Sequence, residues 1–215
     1  MSIFSWIKRY LGVSVDRVMK RELGGAAQPP GERPGLECRV LNEAEVLDFA
    51  CDPELELSEA RVRDAYAAGN LCLGAIEGGV LLGYTWLAYG DTRLSDGVWV
   101  GFGPEFRYSY KTFVRPAHRG QRIVQALHAL ADSQELRRGC AFALDVVAVN
   151  NLPSLAALRR TGSVPVGHAV YARCFGLLLV LRSPGLMRAG IEIYRPTPGR
   201  IAARMRACRP LTAET

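Results

Sequence analysis

The 215-residue chain lacks the sequence features of several large protein classes. Its apolar runs, such as residues 177–181, are far shorter than the roughly 20 residues of a membrane-spanning helix. No G-K-S/T loop, G-x-S-x-G, H-E-x-x-H or G-x-G-x-x-G motif is present, so metal, nicotinamide and ATP-driven chemistry have no recognisable site. The six cysteines contain no C-x-x-C pair, which favours reduced thiols in a cytoplasmic protein. Lys8 and Arg9 follow the first apolar residues instead of preceding them, unlike a cleavable secretion signal.

Positive charge is concentrated at the two ends of the chain. The sequence has 27 basic and 21 acidic residues, a net charge of +6. Residues 1–22 carry a net +3 and residues 182–215 a net +5, whereas residues 23–181 carry a net −2. A nucleic-acid-binding domain usually has its basic surface on the folded body. The distribution therefore argues against a nucleic-acid partner.

The spacing of apolar and polar residues predicts an α/β domain. Asn42-x-x-Glu45 is typical of a capping box at the start of a helix, and Glu77-Gly78-Gly79 between two apolar runs predicts a hairpin. A short helix is expected over residues 16–23 and a polar loop over residues 91–103. The predicted order is a strand, two helices, three mostly antiparallel strands, a helix, a strand, a helix and further strands.

Four segments follow from the composition of the chain. Residues 1–23 are expected to form an amphipathic helical extension, and residues 24–35 are a Gly/Pro-rich linker. Residues 36–181 are the predicted folded domain, and residues 182–215 are a basic C-terminal extension.

Two motifs carry a resemblance to a known family. The segment Phe113-Val-Arg-Pro-Ala-His-Arg-Gly-Gln-Arg-Ile123 resembles the acyl-CoA pyrophosphate loop of the GNAT N-acetyltransferase superfamily. Asn151-Leu-Pro-Ser154, followed by Arg159-Arg-Thr-Gly162, resembles the second family signature, in which an Asn precedes a short helix that ends in a basic residue and Gly. The resemblance covers about residues 36–181. It implies a GNAT-like fold: a mixed, largely antiparallel sheet of six to seven strands flanked by helices, with amphipathic N-terminal and C-terminal extensions.

The resemblance also implies acetyl-CoA or another acyl-CoA as co-substrate. Successive backbone N–H groups of residues 119–123 would hold the pyrophosphate at the start of a helix. The backbone of the preceding strand, with residues 147–149 opposite, would pair with the pantetheine arm. The implied CoA-binding residues are Phe113, Val114, Arg115, His118, Arg119, Gly120, Gln121, Arg122, Ile123, Asn151 and Ser154. Four side chains would add charge or polarity near the 3′-phosphate: Arg115, His118, Arg119 and Arg122.

Acyl transfer to an amine needs a base and a group that stabilises the oxyanion near the thioester. Glu105, at the start of a strand, is where many family members keep such a carboxylate, and a solvated strand-end residue is the alternative. Tyr110 is a second catalytic candidate, as an acid. It shares a strand face with Tyr108, and packing in the core is the alternative for this aromatic pair.

Departures from the family pattern leave a second function open. Arg122 and Val124 stand where the family usually has Gly or Ala, and Leu158 stands where a Tyr often protonates the leaving thiolate. These substitutions favour, as an alternative to an enzyme, a non-catalytic acyl-CoA-binding or membrane-associated scaffold module. Transfer of a longer acyl chain is a further alternative, with Trp99 and Phe102 as its lining.

The ends of the chain leave their partners open. Residues 3–11 form an aromatic-rich amphipathic pattern, and Ile201, Met205 and Cys208 recur at helical spacing among arginines. Packing on the body or across a homodimer is one interpretation. Peripheral contact with the anionic inner face of the membrane is the other. The expected acceptor is a small-molecule or peptide amine in the cytoplasm.

Overall fold

The computed structural model describes residues 13–24, 33–95, 97–174 and 177–197. The amphipathic patterns expected over residues 3–11 and 201–208 lie outside the described residues. The strands, numbered in chain order, are β1 (Val13–Glu22), β2 (Leu36–Leu41), β3 (Leu71–Glu77), β4 (Val80–Ala88), β5 (Thr92–Ser95), β6 (Val98–Gly101), β7 (Phe106–Val114), β8 (Phe142–Ala148), β9 (Val164–Cys174), β10 (Leu177–Arg182) and β11 (Glu192–Tyr194). The helices are α1 (Glu43–Phe49), α2 (Glu59–Ala67), α3 (Ile123–Arg138), α4 (Leu152–Arg160) and α5 (Pro184–Arg188), with 3-10 turns at Pro53–Leu55 and Pro116–His118.

The chain folds into two compact units. One unit contains residues 13–22, 90–106 and 142–197 of the described chain, and the other contains residues 23–24, 33–89 and 107–141. They are called the terminal unit and the central unit. No helix within the described ranges has an apolar stretch long enough to cross a bilayer.

The central unit is a four-stranded antiparallel arrangement covered by helices on both faces. Its strand order is β7–β4–β3–β2. Val46 of α1 and Val62 of α2 pack with Trp86 on one face of the strands. Ile123 and Leu127 of α3 pack against apolar strand residues in a second cluster. The predicted capping box and hairpin are both present here, and they are confirmed.

Strand β7 carries an irregularity before its end. Trp86 of β4 lies opposite Tyr110, but Tyr84 lies opposite Phe113, so β7 has one residue more than its partner over this stretch. Lys111 takes up the extra length with a φ of +48°. Such a bulge increases the local twist of a strand, and this one re-aims the last residues of β7.

Gly83 of β4 marks the closest approach in the central unit. It lies opposite Val114, and a Cβ added to it would stand 2.8 Å from the Phe113 carbonyl oxygen and 3.1 Å from the Ile123 Cγ2 atom. A side chain at this position would therefore displace the end of β7 or the first turn of α3. Only glycine at position 83 lets β4 lie this close to the end of β7 and the start of α3.

The terminal unit has four antiparallel strands in the order β10–β9–β1–β8 and a small sheet in the order β11–β6–β5. Strand β1 is paired on both sides: Val18 lies opposite Val146 of β8 and Gly167 of β9. On one face of β1, Met19 packs with Leu155 and Leu158 of α4. The N-terminal strand is thus an interior strand of this unit.

The structure corrects three expectations. The helix predicted over residues 16–23, and the helical extension predicted over residues 1–23, are wrong for residues 13–22, because these residues form β1 and pair with strands far away in the sequence. The polar loop predicted over residues 91–103 contains β5 and β6, whose Val98 and Val100 are buried. Residues 182–197 are part of the terminal unit and not an extension, since Ile191 and other apolar side chains there are buried. The α/β class is confirmed, with eight strands in the two four-stranded arrangements instead of six to seven.

Replacement of Gly83 by alanine tests the close approach. We expect Gly83→Ala to lower the free energy of unfolding by about 1–3 kcal/mol, the usual cost of overpacking. Val80→Ala, on the same strand at a side chain that is 49% exposed, is the control and should change it by less than about 0.5 kcal/mol. Urea unfolding measures both. A Gly83→Ala variant as stable as the control would contradict the packing described here.

Candidate functional site

The β7–α3 loop, residues 115–122, joins strand β7 to the 16-residue helix α3. Gly120 (φ +79°) and Arg122 (φ +61°) have left-handed backbone near its end. The Ala126 N–H donates to the Arg122 carbonyl over 3.1 Å, so the N–H groups of residues 123–125 have no acceptor inside the helix. These amides and the helix dipole favour an anion at this end of α3.

Side chains of the loop add positive charge beside these amides. Arg119, Gln121 and Arg122 are exposed, and His118 is half-buried. The Arg119 Nε donates to the Val114 carbonyl over 3.2 Å, which holds the side chain against the end of β7. Within the described residues, the His118 Nδ1 atom is enclosed without a hydrogen-bond partner. Amides without an acceptor inside the helix and two exposed guanidinium groups together form a surface that suits a pyrophosphate.

Arg115 has a different role from the one expected. Its Nη2 donates to the Asp52 carboxylate over 2.5 Å, its Nη1 donates to the Glu54 carboxylate, and its Nε donates to the Leu81 carbonyl over 2.7 Å. The hydrogen bond from Arg115 is the main reason that the pKa of Asp52 lies below its usual range. All three guanidinium nitrogens are occupied, so Arg115 ties the 52–54 turn to β4 and is not available to a phosphate.

A second ion pair lies beside this turn. The Lys111 Nζ donates to the Glu56 carboxylate over 2.8 Å. This hydrogen bond is the main cause that lowers the pKa of Glu56. Lys111 is therefore engaged by an acidic partner at the bulge of β7.

The backbone at Arg122 belongs to a region that favours glycine. A side chain at a φ near +60° is strained, and the resemblance expects Gly or Ala at this position. In this chain the strained backbone at position 122 carries an arginine, which places a guanidinium group just before the first turn of α3. Since the side chain is exposed, it adds charge where the loop amides lie.

Phe113 and Val114 end β7 beneath the loop. The Phe113 ring stacks on Tyr84 with centroids 5.6 Å apart, and Val114 packs with Ile123 in the core beside α3. Both residues pair with β4, opposite Tyr84 and Gly83. Their side chains are thus part of the packing that positions the loop.

Tyr110 is held by an aromatic cluster and an amide. Its ring stacks on Trp86 (6.3 Å between centroids) and on Tyr108 (5.7 Å). The Asn70 Nδ2 donates to the Tyr110 hydroxyl over 2.8 Å, which leaves the phenolic proton for another acceptor. Burial raises the pKa of Tyr110, so the phenol is protonated at neutral pH and is a poor proton donor to a thiolate. It is suited to donating a hydrogen bond.

Glu105 lies in the turn before β7, in the terminal unit. It is exposed, and its carboxylate folds over Gly103, where an added Cβ would stand 2.2 Å from the Glu105 Oε2 atom. The backbone of the turn is fixed, because the Phe142 N–H donates to the Glu105 carbonyl over 3.0 Å. The side chain is therefore a solvent-accessible carboxylate on an anchored turn.

Asn151 and Ser154 lie at the start of α4 in the terminal unit. The Asn151 side-chain oxygen accepts a hydrogen bond from the Ser154 N–H over 3.3 Å and caps the helix. Leu158, in place of the usual Tyr, is 6% exposed and packs with Met19 and Leu155. The second motif thus builds a capped helix whose inner face is apolar.

Sequence reasoning missed the partners that hold the site. Asp52 lies 63 residues from Arg115, and Asn70 lies 40 residues from Tyr110. No local pattern pairs residues so far apart. In the part of the chain that the structure describes, no three His, Cys, Asp or Glu side chains are grouped as metal ligands.

Comparisons with known proteins agree with this architecture. The sequence profile of the Acetyltransferase (GNAT) family matches residues 39–162. Comparison with curated proteins finds no relative. A GCN5-related N-acetyltransferase from Kribbella flavida is similar in structure, with a TM-score of 0.51 and 16% identity over 80% of this chain and 58% of that chain.

Two further structures have the same fold. A tandem GNAT protein from the clavulanic acid biosynthesis pathway has a TM-score of 0.54 and 19% identity, over 83% of this chain and 57% of that chain. An acetyltransferase of the GNAT family from Novosphingobium aromaticivorans, titled as putative, has a TM-score of 0.51 and 14% identity, over 80% of this chain and 66% of that chain. The chain spans less than two thirds of the length of these structures.

The strain at Arg122 predicts a stabilising substitution. We expect Arg122→Gly to raise the free energy of unfolding by about 0.5–1 kcal/mol, because glycine adopts a φ of +61° without steric cost. Gly120→Ala is the complementary substitution. An added Cβ there meets no atom within 4 Å, so the only cost is the left-handed backbone with a φ of +79°. It should lower stability by about 1 kcal/mol. Thermal unfolding measures both, and two changes of the same sign would contradict the backbone described.

Proposed function

Because the chain belongs to the GNAT acetyltransferase family, we propose that it transfers an acetyl or longer acyl group from acyl-CoA to a primary amine. The β7–α3 loop and the first turn of α3 carry this proposal: residues 123–125 of α3 offer amides without helical acceptors, and Arg119 and Arg122 of the loop are exposed. A CoA pyrophosphate matches that combination of donors and charge.

We assign the phosphates of CoA to the loop as follows. The amides of residues 120–123 bind the pyrophosphate, since the Arg119 N–H already donates to the Pro116 carbonyl over 3.3 Å. The side chains of Arg119, Arg122 and His118 face the 3′-phosphate. Arg115 is left out because Asp52 and Glu54 neutralise it. The loop is thereby expected to attract CoA through two arginines instead of three.

The chemical step needs one base and one hydrogen-bond donor. The ammonium first loses a proton, and the neutral amine then attacks the thioester carbonyl. A C–N bond forms and the C–S bond breaks; the nitrogen loses a second proton to solvent to become the amide, and the CoA thiolate takes up one proton from solvent. Glu105 is the proposed base, since an exposed carboxylate can pass the proton of the ammonium on to solvent. Tyr110, protonated and hydrogen-bonded by Asn70, is the proposed donor to developing negative charge.

One observation favours a second function, an acyl-CoA-binding module without catalysis. Leu158 stands where the family usually has the Tyr that protonates the thiolate, and it is buried against Met19. Such a module would bind acyl-CoA at the same loop without consuming it. The two functions therefore share their binding prediction and differ in turnover.

Charge reversal of the two exposed loop arginines tests binding. We expect wild-type protein to bind acetyl-CoA or a longer acyl-CoA, and Arg119→Glu/Arg122→Glu to weaken binding by roughly 100-fold or more, since two charge-assisted contacts become repulsive. Calorimetric titration measures the affinity. Arg61→Glu/Arg63→Glu, the same charge change on exposed positions of α2, is the control and should bind like wild type. Equal binding by the loop variant would refute the assignment.

Substitution of the two catalytic candidates separates the enzyme from the binding module. With an amine that the wild type acylates, Glu105→Gln should lower kcat by about 100-fold or more, and Tyr110→Phe by roughly tenfold. Binding of acyl-CoA should be unchanged in both. Glu37→Gln, an exposed carboxylate of β2, is the control. If the wild type binds acyl-CoA but acylates none of a broad panel of amines, the module is favoured.

A further inference from the structure

Arg33 connects the β7–α3 loop to the end of β3, two parts of the central unit that are far apart in the sequence. It lies in the segment expected to be a linker, just before β2. Its Nη1 donates to the Gln121 Oε1 in the β7–α3 loop, and its Nη2 donates to the Glu77 carboxylate, with N–O distances of 2.9 and 3.0 Å to the two carboxylate oxygens. The Arg33 carbonyl accepts from the Leu36 N–H over 3.1 Å, which ties its backbone to the start of β2.

The two partners of Arg33 lie in different kinds of structure, a paired strand and an exposed loop. Glu77 is the last residue of β3 and lies opposite Leu36 and Val80, so it belongs to a paired strand. Gln121 is an exposed loop residue between the two left-handed positions Gly120 and Arg122. Arg33 therefore joins an exposed loop residue to a strand that pairs on both sides.

Gln121 has only a weaker contact within its own loop. Its Nε2 donates to the Ala117 carbonyl over 3.5 Å, at the long limit of a hydrogen bond. The contact with the guanidinium of Arg33 is shorter and charge-assisted. Arg33 is thus the stronger restraint on the side chain of Gln121.

We propose that Arg33 is a positioning residue of the CoA-binding loop, which acts through Gln121 and is anchored by Glu77. This inference rests on the proposed function. By holding Gln121, Arg33 orders the backbone of the loop before CoA arrives, so that less ordering is needed on binding. It acts through this restraint and not by touching a phosphate, because both of its Nη atoms are engaged and Glu77 balances its charge.

The contact should affect binding more than stability. The side chains of Arg33 and Glu77 are 31% and 33% exposed, and ion pairs this accessible contribute little to folding. Loss of the contacts of Arg33 with Gln121 and Glu77 should leave the sheet intact. It should let the β7–α3 loop move, and the amides of this loop must be aligned to bind CoA. A lower affinity at an unchanged unfolding temperature is therefore the expected signature.

A double-mutant cycle tests the role of Arg33. Arg33→Ala and Gln121→Ala should each weaken CoA binding about fivefold by calorimetry, and the double variant should be no weaker than either. Arg33→Lys should not restore affinity, since an ammonium lacks the planar fork that spans both partners. The losses should be equal for CoA and 3′-dephospho-CoA. Arg39→Ala, which breaks an ion pair with Glu45 elsewhere in the central unit, is the control and should leave affinity unchanged.

Several results would overturn the proposal. Wild-type affinity in Arg33→Ala would remove any role for this residue, while losses that add up in the double variant would exclude action through Gln121. Rescue by Arg33→Lys, or a loss seen with CoA but not with 3′-dephospho-CoA, would mean direct contact with the 3′-phosphate. If wild-type protein binds no CoA, the proposed function fails and this role fails with it; if the wild type binds and Arg33→Ala binds equally, only the role of Arg33 fails.

Discussion

The close approach at Gly83 is the constraint on which the central unit depends. Without a side chain there, β4 lies against the Phe113 carbonyl and the first turn of α3 at the same point. The position of that first turn decides where the amides of residues 123–125, which have no acceptor inside the helix, lie. The bulge at Lys111 sets the direction in which β7 enters the loop. Backbone packing, more than any charged side chain, therefore determines where an anion would bind.

The basic side chains around the loop fall into two groups, those paired with carboxylates and those exposed to solvent. Arg115 and Lys111 are paired with acidic residues of the 52–56 segment, so their charges hold that segment on the strands. Arg119 and Arg122 are exposed. A count of arginines in the motif overestimates the positive field that a ligand meets, because carboxylates elsewhere in the chain neutralise part of it. The position of those carboxylates, and not the motif itself, decides which arginines remain available to an anion.

Local signals in the sequence predicted local structure. The capping box at Asn42 and Glu45 and the hairpin at Gly78 and Gly79 are complete within a few residues, and both were predictable. Strand β1 was not, because its partners β8 and β9 lie more than a hundred residues away and only pairing on both sides makes it a strand. The partners of Arg115 and Tyr110, Asp52 and Asn70, were not predictable either, because they also lie far away in the sequence. The order of the site motifs was predictable, whereas the contacts that hold them were not.

The absence of the usual Tyr at Leu158 is compatible with catalysis on chemical grounds. Thiols are far more acidic than alcohols or amines, with a pKa of about 8.5 for a cysteine side chain, so a thiolate can leave without full protonation in the transition state. A hydrogen bond to the departing sulfur or to the oxyanion lowers the barrier without moving a proton. Tyr110, with its pKa raised by burial and its oxygen already bonded by Asn70, is suited to that kind of donation and unsuited to proton transfer. A buried leucine at position 158 would then remove an acid that the proposed acyl transfer does not strictly need, and its side chain packs with Met19 of β1.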